Sequence, residues 1–160
     1  MAMSLLRVLD KAQWLVISMS MVAVIVFGSF HLIYFFTGSI LCAITAKILK
    51  HLIRQPRPRV SSQHEAISSS KTSYGMPSSH SQVMAFFATY CHCAVRYVTP
   101  LTIALASILY IFTAMVLWSR VRLGHHTLAQ VSVGTLVGAS MATMWHQLWQ
   151  QHIMSMLITP

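Results

Sequence analysis

Residues 12–46 read AQWLVISMSMVAVIVFGSFHLIYFFTGSILCAITA, a run from Ala12 to Ala46 that contains no Asp, Glu, Lys or Arg. A helix that crosses a bilayer needs roughly 20 apolar residues. The run is too long for one crossing and about right for two joined by a short turn, with Gly28, Gly38 and Ser39 bracketing the place for it. Helices over 13–33 and 35–54 are predicted. The rest of the 160-residue chain agrees: only 8% of residues are charged and 56% are hydrophobic, with a mean hydropathy of +0.64. A soluble domain carries roughly a quarter charged residues, so this composition cannot cover a water-facing surface. The expectation is an integral membrane protein whose partner is the lipid bilayer.

The charge balance excludes other classes. Lys and Arg number 11 against 2 acids, for a formal net charge of +9. Basic nucleic-acid modules keep compensating acids and do not bury most of their length, so no nucleic-acid partner is expected. Disorder is excluded by the same hydrophobicity. Asp10 and Glu65 are the only carboxylates, so a paired-carboxylate mechanism or a carboxylate cage for Mg²⁺ lacks its parts. Cys42, Cys91 and Cys93 lie in apolar runs without C-x-x-C spacing and read as small hydrophobes. The first segment is too long for a secretory signal and lacks a clean cleavage site, so it is expected to be a retained helix.

After residue 54, Gln55-Pro56-Arg57-Pro58-Arg59 stops a helix, and Ser61 to Ser73 is a polar, serine-rich loop. Further spans are predicted over 77–97, 101–118 and 126–149, giving about five in an all-α polytopic bundle. Trp14 and Trp118 are expected at one interface, with Trp145 and Trp149 at the other. Gly134 and Gly138 form a G-x-x-x-G that lets a neighbouring helix approach closely. Counting crossings places the end of helix two, the start of helix three, and the link from Ser119 to His126 on one membrane face. The carboxyl terminus then lies opposite. One domain over 1–160 is expected.

Three polar knots therefore share that face. In the first, Lys47, Lys50, Arg54 and Arg57 follow at spacings of three and four, along one side of a helix end. Snorkelling cations are the plain alternative, but four together suit an anion, which Arg grips with a planar fork and Lys with a point charge. The second knot is Tyr74-Gly75-Met76-Pro77-Ser78-Ser79-His80-Ser81-Gln82. Capping explains Pro77, Ser78 and Ser79 but not His80, and a helix amino terminus is a seat for phosphate oxygens. In the third knot, His126 and Gln130 are four apart on one helix face, so Gln130 is positioned to orient the imidazole. Together the knots make a metal-free phosphoryl-transfer site. One histidine attacks phosphorus, another protonates the leaving oxygen, and cations with amide N–H groups stabilise the equatorial oxygens.

The order Lys50…Arg57-Pro58, Pro77-Ser78-Ser79-His80 and Ser119-Arg120…His126 resembles the type 2 phosphatidic acid phosphatase superfamily, over a core of about 47–138. The fuller motifs, Lys-x3-Arg-Gln-Pro-Arg-Pro, Tyr-Gly-Met-Pro-Ser-Ser-His-Ser-Gln and Ser-Arg-Val-x-Leu-x-His-His-x3-Gln-Val, are similar to its dolichyl diphosphate phosphatase branch. That resemblance implies His126 as nucleophile forming a phosphohistidine and His80 as general acid. It implies phosphate held by Lys50, Arg57, Ser79 and Arg120, assisted by a backbone N–H of the Ser78-Ser79-His80 turn. The implied substrate is a polyisoprenyl diphosphate, cleaved without cofactor or metal at the endoplasmic reticulum during lipid-carrier recycling for N-glycosylation. The superfamily usually has Asp at Gln130 and Gly at Ser79; Gln130 marks the dolichyl branch. A phosphatidate or other lipid phosphate phosphatase would use the same knots, and a histidine-rich carrier or metal or haem binder is the non-enzyme alternative. His31, His64, His92, His146 and His152 read as structural or interfacial, while His51 and His125 flank the site. Arg7, Lys11, Lys47, Arg54, Arg59, Lys71 and Arg122 on the site face, against Arg96 opposite, argue for a cytosolic site. The resemblance implies a lumenal one.

Overall fold

The computed structural model describes residues 6, 8–9, 11–58 and 74–153, with side chains through Gln151. Asp10, Glu65, Arg7, Arg59, Lys71, His64, the serine-rich loop and the side chain of His152 lie outside it. The described residues form five helices and no strand: α1 Ala12–Phe27, α2 Phe30–Ile53, α3 Ser79–Cys93, α4 Pro100–Arg122 and α5 Leu128–Leu148. A single π-helical turn, Trp149–Ile153, follows.

The first turn falls earlier than the predicted boundary near residue 34. Gly28 takes a left-handed conformation (φ 56°) and donates its N–H to the Val24 carbonyl, which ends α1. Gly38, the other glycine of the run, lies inside α2, where a Cβ would strike the Trp145 indole and the Phe86 ring. Its absence of side chain serves packing. The later boundaries also shift. α3 stops at Cys93 instead of Tyr97, and α4 continues past Trp118 to Arg122. Polar residues do not break a helix by themselves: Ser119 returns its hydroxyl to the Val116 carbonyl at 2.6 Å, and the break waits for Gly124 at φ 69°. α5 begins at Leu128, leaving His126 in the link before it.

Side-chain caps explain the other starts. Ser78 accepts from Ser81 N at the head of α3. Thr99 and Thr102 form a capping box with Pro100 at the first helical position of α4, and Thr127 with Gln130 forms another at α5.

α3 is the central helix. Its inner side chains meet two buried clusters, one with Leu9, Ala12, Val16 and Val116 around Met84, the other with Phe35, Cys42 and Ala142 around Phe86 and Tyr90. Gly134 and Gly138 set α5 against α3 backbone to backbone: a Cβ on Gly134 would lie 2.6 Å from the Ser78 carbonyl oxygen, and one on Gly138 would strike that of Gln82. The buried Gln82 amide donates to the Cys42 carbonyl at 3.0 Å, tying α3 to α2.

α2 and α4, of 24 and 23 residues, are long and apolar enough to cross a membrane, with mean hydropathies of 1.8 and 2.1. α4 turns Leu101, Leu105, Ile108, Ile111 and Trp118 outward, an apolar face beyond what soluble monomers expose. The protein associates with membrane. At one end of the bundle, Trp14 and Trp118 are exposed. At the other, Trp149 is only 7% exposed, because its ring packs on His31 and Tyr34; it is not the outward belt residue expected. Trp145 stacks on Tyr34, and each donates to the other's backbone carbonyl at 3.0 Å.

Candidate active site

The ends of α2 and α4 and the starts of α3 and α5 meet at one end of the bundle, where backbone bonds join the three sequence knots. Gly75 N donates to the Gln55 carbonyl at 2.7 Å, and Ser78 N donates to the Gln130 carbonyl at 3.1 Å. The Arg120 carbonyl accepts from both His125 N and His126 N, turning the chain sharply after α4 so that the His126 ring points back into the bundle.

His126 is 2% exposed. Its Nδ1 lies 2.9 Å from the Gly75 carbonyl oxygen and 3.2 Å from Gln130 Oε1. The Gln130 amide is oriented by four contacts. Its Nε2 donates to Gln55 Oε1 at 3.1 Å and to the Pro56 carbonyl at 3.0 Å, while Oε1 accepts from Thr127 N at 3.2 Å as well as facing His126. Nδ1 therefore sits between two oxygen acceptors and must carry the ring proton, so Nε2 keeps its lone pair. Burial, with Arg57, Arg120 and Lys50 nearby, pushes the His126 pKa from 6.5 down to about 3, opposed by the bond to Gln130. The imidazole is neutral at physiological pH and oriented as a nucleophile requires.

Three of the remaining candidates, Arg57, His80 and Arg120, line a cavity of about 640 Å³ together with Lys11, Trp14 and His125. Arg120 is a buried cation, 4% exposed. Lys50 Nζ donates to Ser79 Oγ at 3.3 Å, which brings the first knot to the amino terminus of α3. Ser78 is fully buried, and both its polar groups are engaged: N–H to Gln130, Oγ accepting from Ser81 N and from Ser81 Oγ at 2.9 Å. It frames the turn, while the amides of Ser79 and His80 precede the first intrahelical bond, from Gln82 N to the Ser78 carbonyl. Cations and a helix amino terminus beside a cavity are groups whose chemistry suits an anion such as a phosphoryl group.

Sequence reasoning missed Gly75, Gln55 and Lys11. Gly75 has no room for a side chain, since a Cβ would lie 2.6 Å from Gln130 Nε2; its position just before Met76-Pro77 was the available signal. Gln55 was visible only as part of a helix stop. The flanking His51 packs edge-on to the Tyr74 ring. Of the histidines read as structural, His31 Nε2 is 3.0 Å from Tyr90 OH at the far end, with His146 edge-on to the same tyrosine, and His92 packs against Tyr110. Among the described residues, no three His, Cys, Asp or Glu side chains converge.

Residues 30–154 match the PAP2 superfamily. The chain is 35% identical over 117 residues to dolichyldiphosphatase 1 of Dictyostelium discoideum, covering 69% of this chain and 49% of that protein. It is 34% identical over 154 residues to dolichyldiphosphatase 1 of Rhinolophus ferrumequinum, covering 85% and 60%. Lipid phosphate phosphatase gamma of Arabidopsis thaliana is 34% identical over 119 residues, covering 71% and 51%. The chain thus spans about half to three fifths of the length of these relatives. No solved structure matches. With the family's match running from the second helix through the fifth and enclosing His80, Arg120 and His126, the chain belongs to the PAP2 superfamily.

Proposed function

We propose that this chain is an integral-membrane phosphatase that removes the terminal phosphate of a polyisoprenyl (dolichyl) diphosphate through a phosphohistidine, without metal. The observation that carries the reading is the His126 ring, whose Nδ1 faces the Gly75 and Gln130 oxygens and so leaves Nε2 as the nucleophile. Nε2 attacks the terminal phosphorus, the bond to the bridging oxygen breaks, and His80, which takes up a proton beside the negative charge of the bound diphosphate, gives that oxygen the proton. Water then attacks the phosphohistidine, with His80 accepting a proton, and orthophosphate leaves. Lys50, Arg57, Ser79 and Arg120 bind the equatorial oxygens, with the amides of Ser79 and His80 assisting. Gln130 is a positioning residue.

All five helices cross the bilayer as one domain, with the site at helix ends on one face. α3, of 15 residues, is about 22 Å long, shorter than the ~30 Å hydrocarbon core; its polar head lies in the water-filled site. We place the chain in the endoplasmic reticulum with that face lumenal, serving carrier recycling for N-glycosylation. The opposing count of basic residues loses weight because Lys11, one of its members, lines the cavity.

The test is phosphate release by the purified chain in excess EDTA, with dolichyl diphosphate and phosphatidic acid compared. Faster turnover of the diphosphate is expected, with none from His126→Ala or Arg120→Ala proteins that still insert. Preference for phosphatidic acid would assign the chain instead to general lipid phosphate hydrolysis, as the name of the Arabidopsis relative describes that protein. Activity retained by His126→Ala would overturn the mechanism.

A further inference from the structure

The cavity in front of His80 and Arg120 has a wall that no catalytic step above uses. It is made by the start of α1, where Lys11 and Trp14, three residues apart and so on one helix face, look across to Arg57, His80, Arg120 and His125. His126 is not part of the lining and is buried. This arrangement gives the reaction a direction. The nucleophile is buried outside the open volume, the acid His80 borders that volume, and the group to which His80 gives its proton departs into the space that Lys11 lines. At about 640 Å³ the cavity equals roughly twenty water volumes, far more than one phosphate fills.

We infer that Lys11 is a specificity-determining residue that receives the second phosphate of a diphosphate substrate, an inference that rests on the phosphatase reading above. When Nε2 of His126 bonds to the terminal phosphorus, the bridging oxygen takes the P–O bond pair and the His80 proton. The leaving group is then a phosphate monoester, an anion. From a monophosphate lipid the same step releases a neutral alcohol. A cation on the departing side stabilises the first product and the transition state leading to it, and has nothing comparable to bind in the second. Trp14, beside it and 67% exposed, carries an apolar ring suited to the first carbons of the tail at an interface.

The test compares wild type, Lys11→Met and Lys11→Arg on a diphosphate and a monophosphate bearing the same tail. The ratio of kcat/KM for the two is expected to fall about tenfold in Lys11→Met, the worth of one charge-assisted contact, and to recover in Lys11→Arg. An unchanged ratio, including equal losses on both substrates, would overturn the inference. Binding of inorganic pyrophosphate and orthophosphate to the same purified proteins is measured by calorimetry. Selective loss of pyrophosphate affinity in Lys11→Met supports the inference, and equal or no loss sinks it. Wild type that hydrolyses neither lipid defeats the phosphatase reading alone, and the calorimetric arm still decides the role of Lys11.

Discussion

The carbonyl oxygen of Gly75 and Nδ1 of His126 lie 2.9 Å apart, so the orientation of the proposed nucleophile is set by backbone from a different knot of the sequence. Gly75 is itself tethered through its N–H to the Gln55 carbonyl, and a Cβ there would lie 2.6 Å from the Gln130 amide. Gly75→Ala is therefore expected to push Gln130 and the ring apart. An ångström of misplacement costs about a hundredfold; the loss should fall on kcat, with KM nearly constant, in steady-state assays of the folded variant.

Gln130→Asp restores the side chain usual in the superfamily but is expected to harm this protein. Nε2 of Gln130 donates to both Gln55 Oε1 and the Pro56 carbonyl, and a carboxylate can donate to neither. Leaving an acceptor unpaired costs roughly 1–3 kcal/mol, and here the acceptors would also face a negative charge. Lower thermal stability and at least a tenfold fall in kcat are expected in Gln130→Asp. An activity equal to or above wild type would show that charge on the imidazole outweighs the amide network.

How much of this was legible follows from what each residue interacts with. The knots could be gathered at one end of the bundle because hydropathy is local, and Gln130 could be assigned to His126 because only four residues separate them, although His126 lies in the link just before α5 and not within it. The amide's other partners are 74 and 75 residues upstream, and no periodicity links them. The choice of Gly28 over Gly38 for the break was hidden for a related reason: residues on both sides are equally apolar, and Gly38 lies inside the helix where a side chain would meet Trp145 and Phe86. Trp149 looked like a belt residue because its inward partners, His31 and Tyr34, come from the other end of the chain. Lys11 read as a topology signal until the cavity put it opposite His80.

The α3–α5 contact predicts a packing defect separate from chemistry. A side chain at Gly138 would strike the Gln82 carbonyl, which is backbone and cannot swing away. Gly138→Ala is expected to destabilise by about 1–3 kcal/mol, seen as a lower melting midpoint in detergent. Because Gly134 packs on Ser78 at the head of the site, Gly134→Ala should lose activity as well as stability, and comparing the two variants separates the effects.

Acid stability offers a check on the His126 environment in the empty protein. Its pKa is about 3 when folded, against 6.5 for an ordinary histidine. Between those values the unfolded chain binds a proton at this position that the folded chain does not, so the stability from keeping the ring neutral is complete above pH 6.5 and is lost as pH falls toward 3. His126→Gln removes the titrating group, so its melting midpoint should decline less than that of wild type between pH 7.5 and pH 4.5. Orthophosphate should shrink the difference, because a bound anion stabilises the imidazolium and raises the folded pKa. Parallel decline of both proteins with pH would place His126 in a solvated environment and overturn the burial that lowers its pKa.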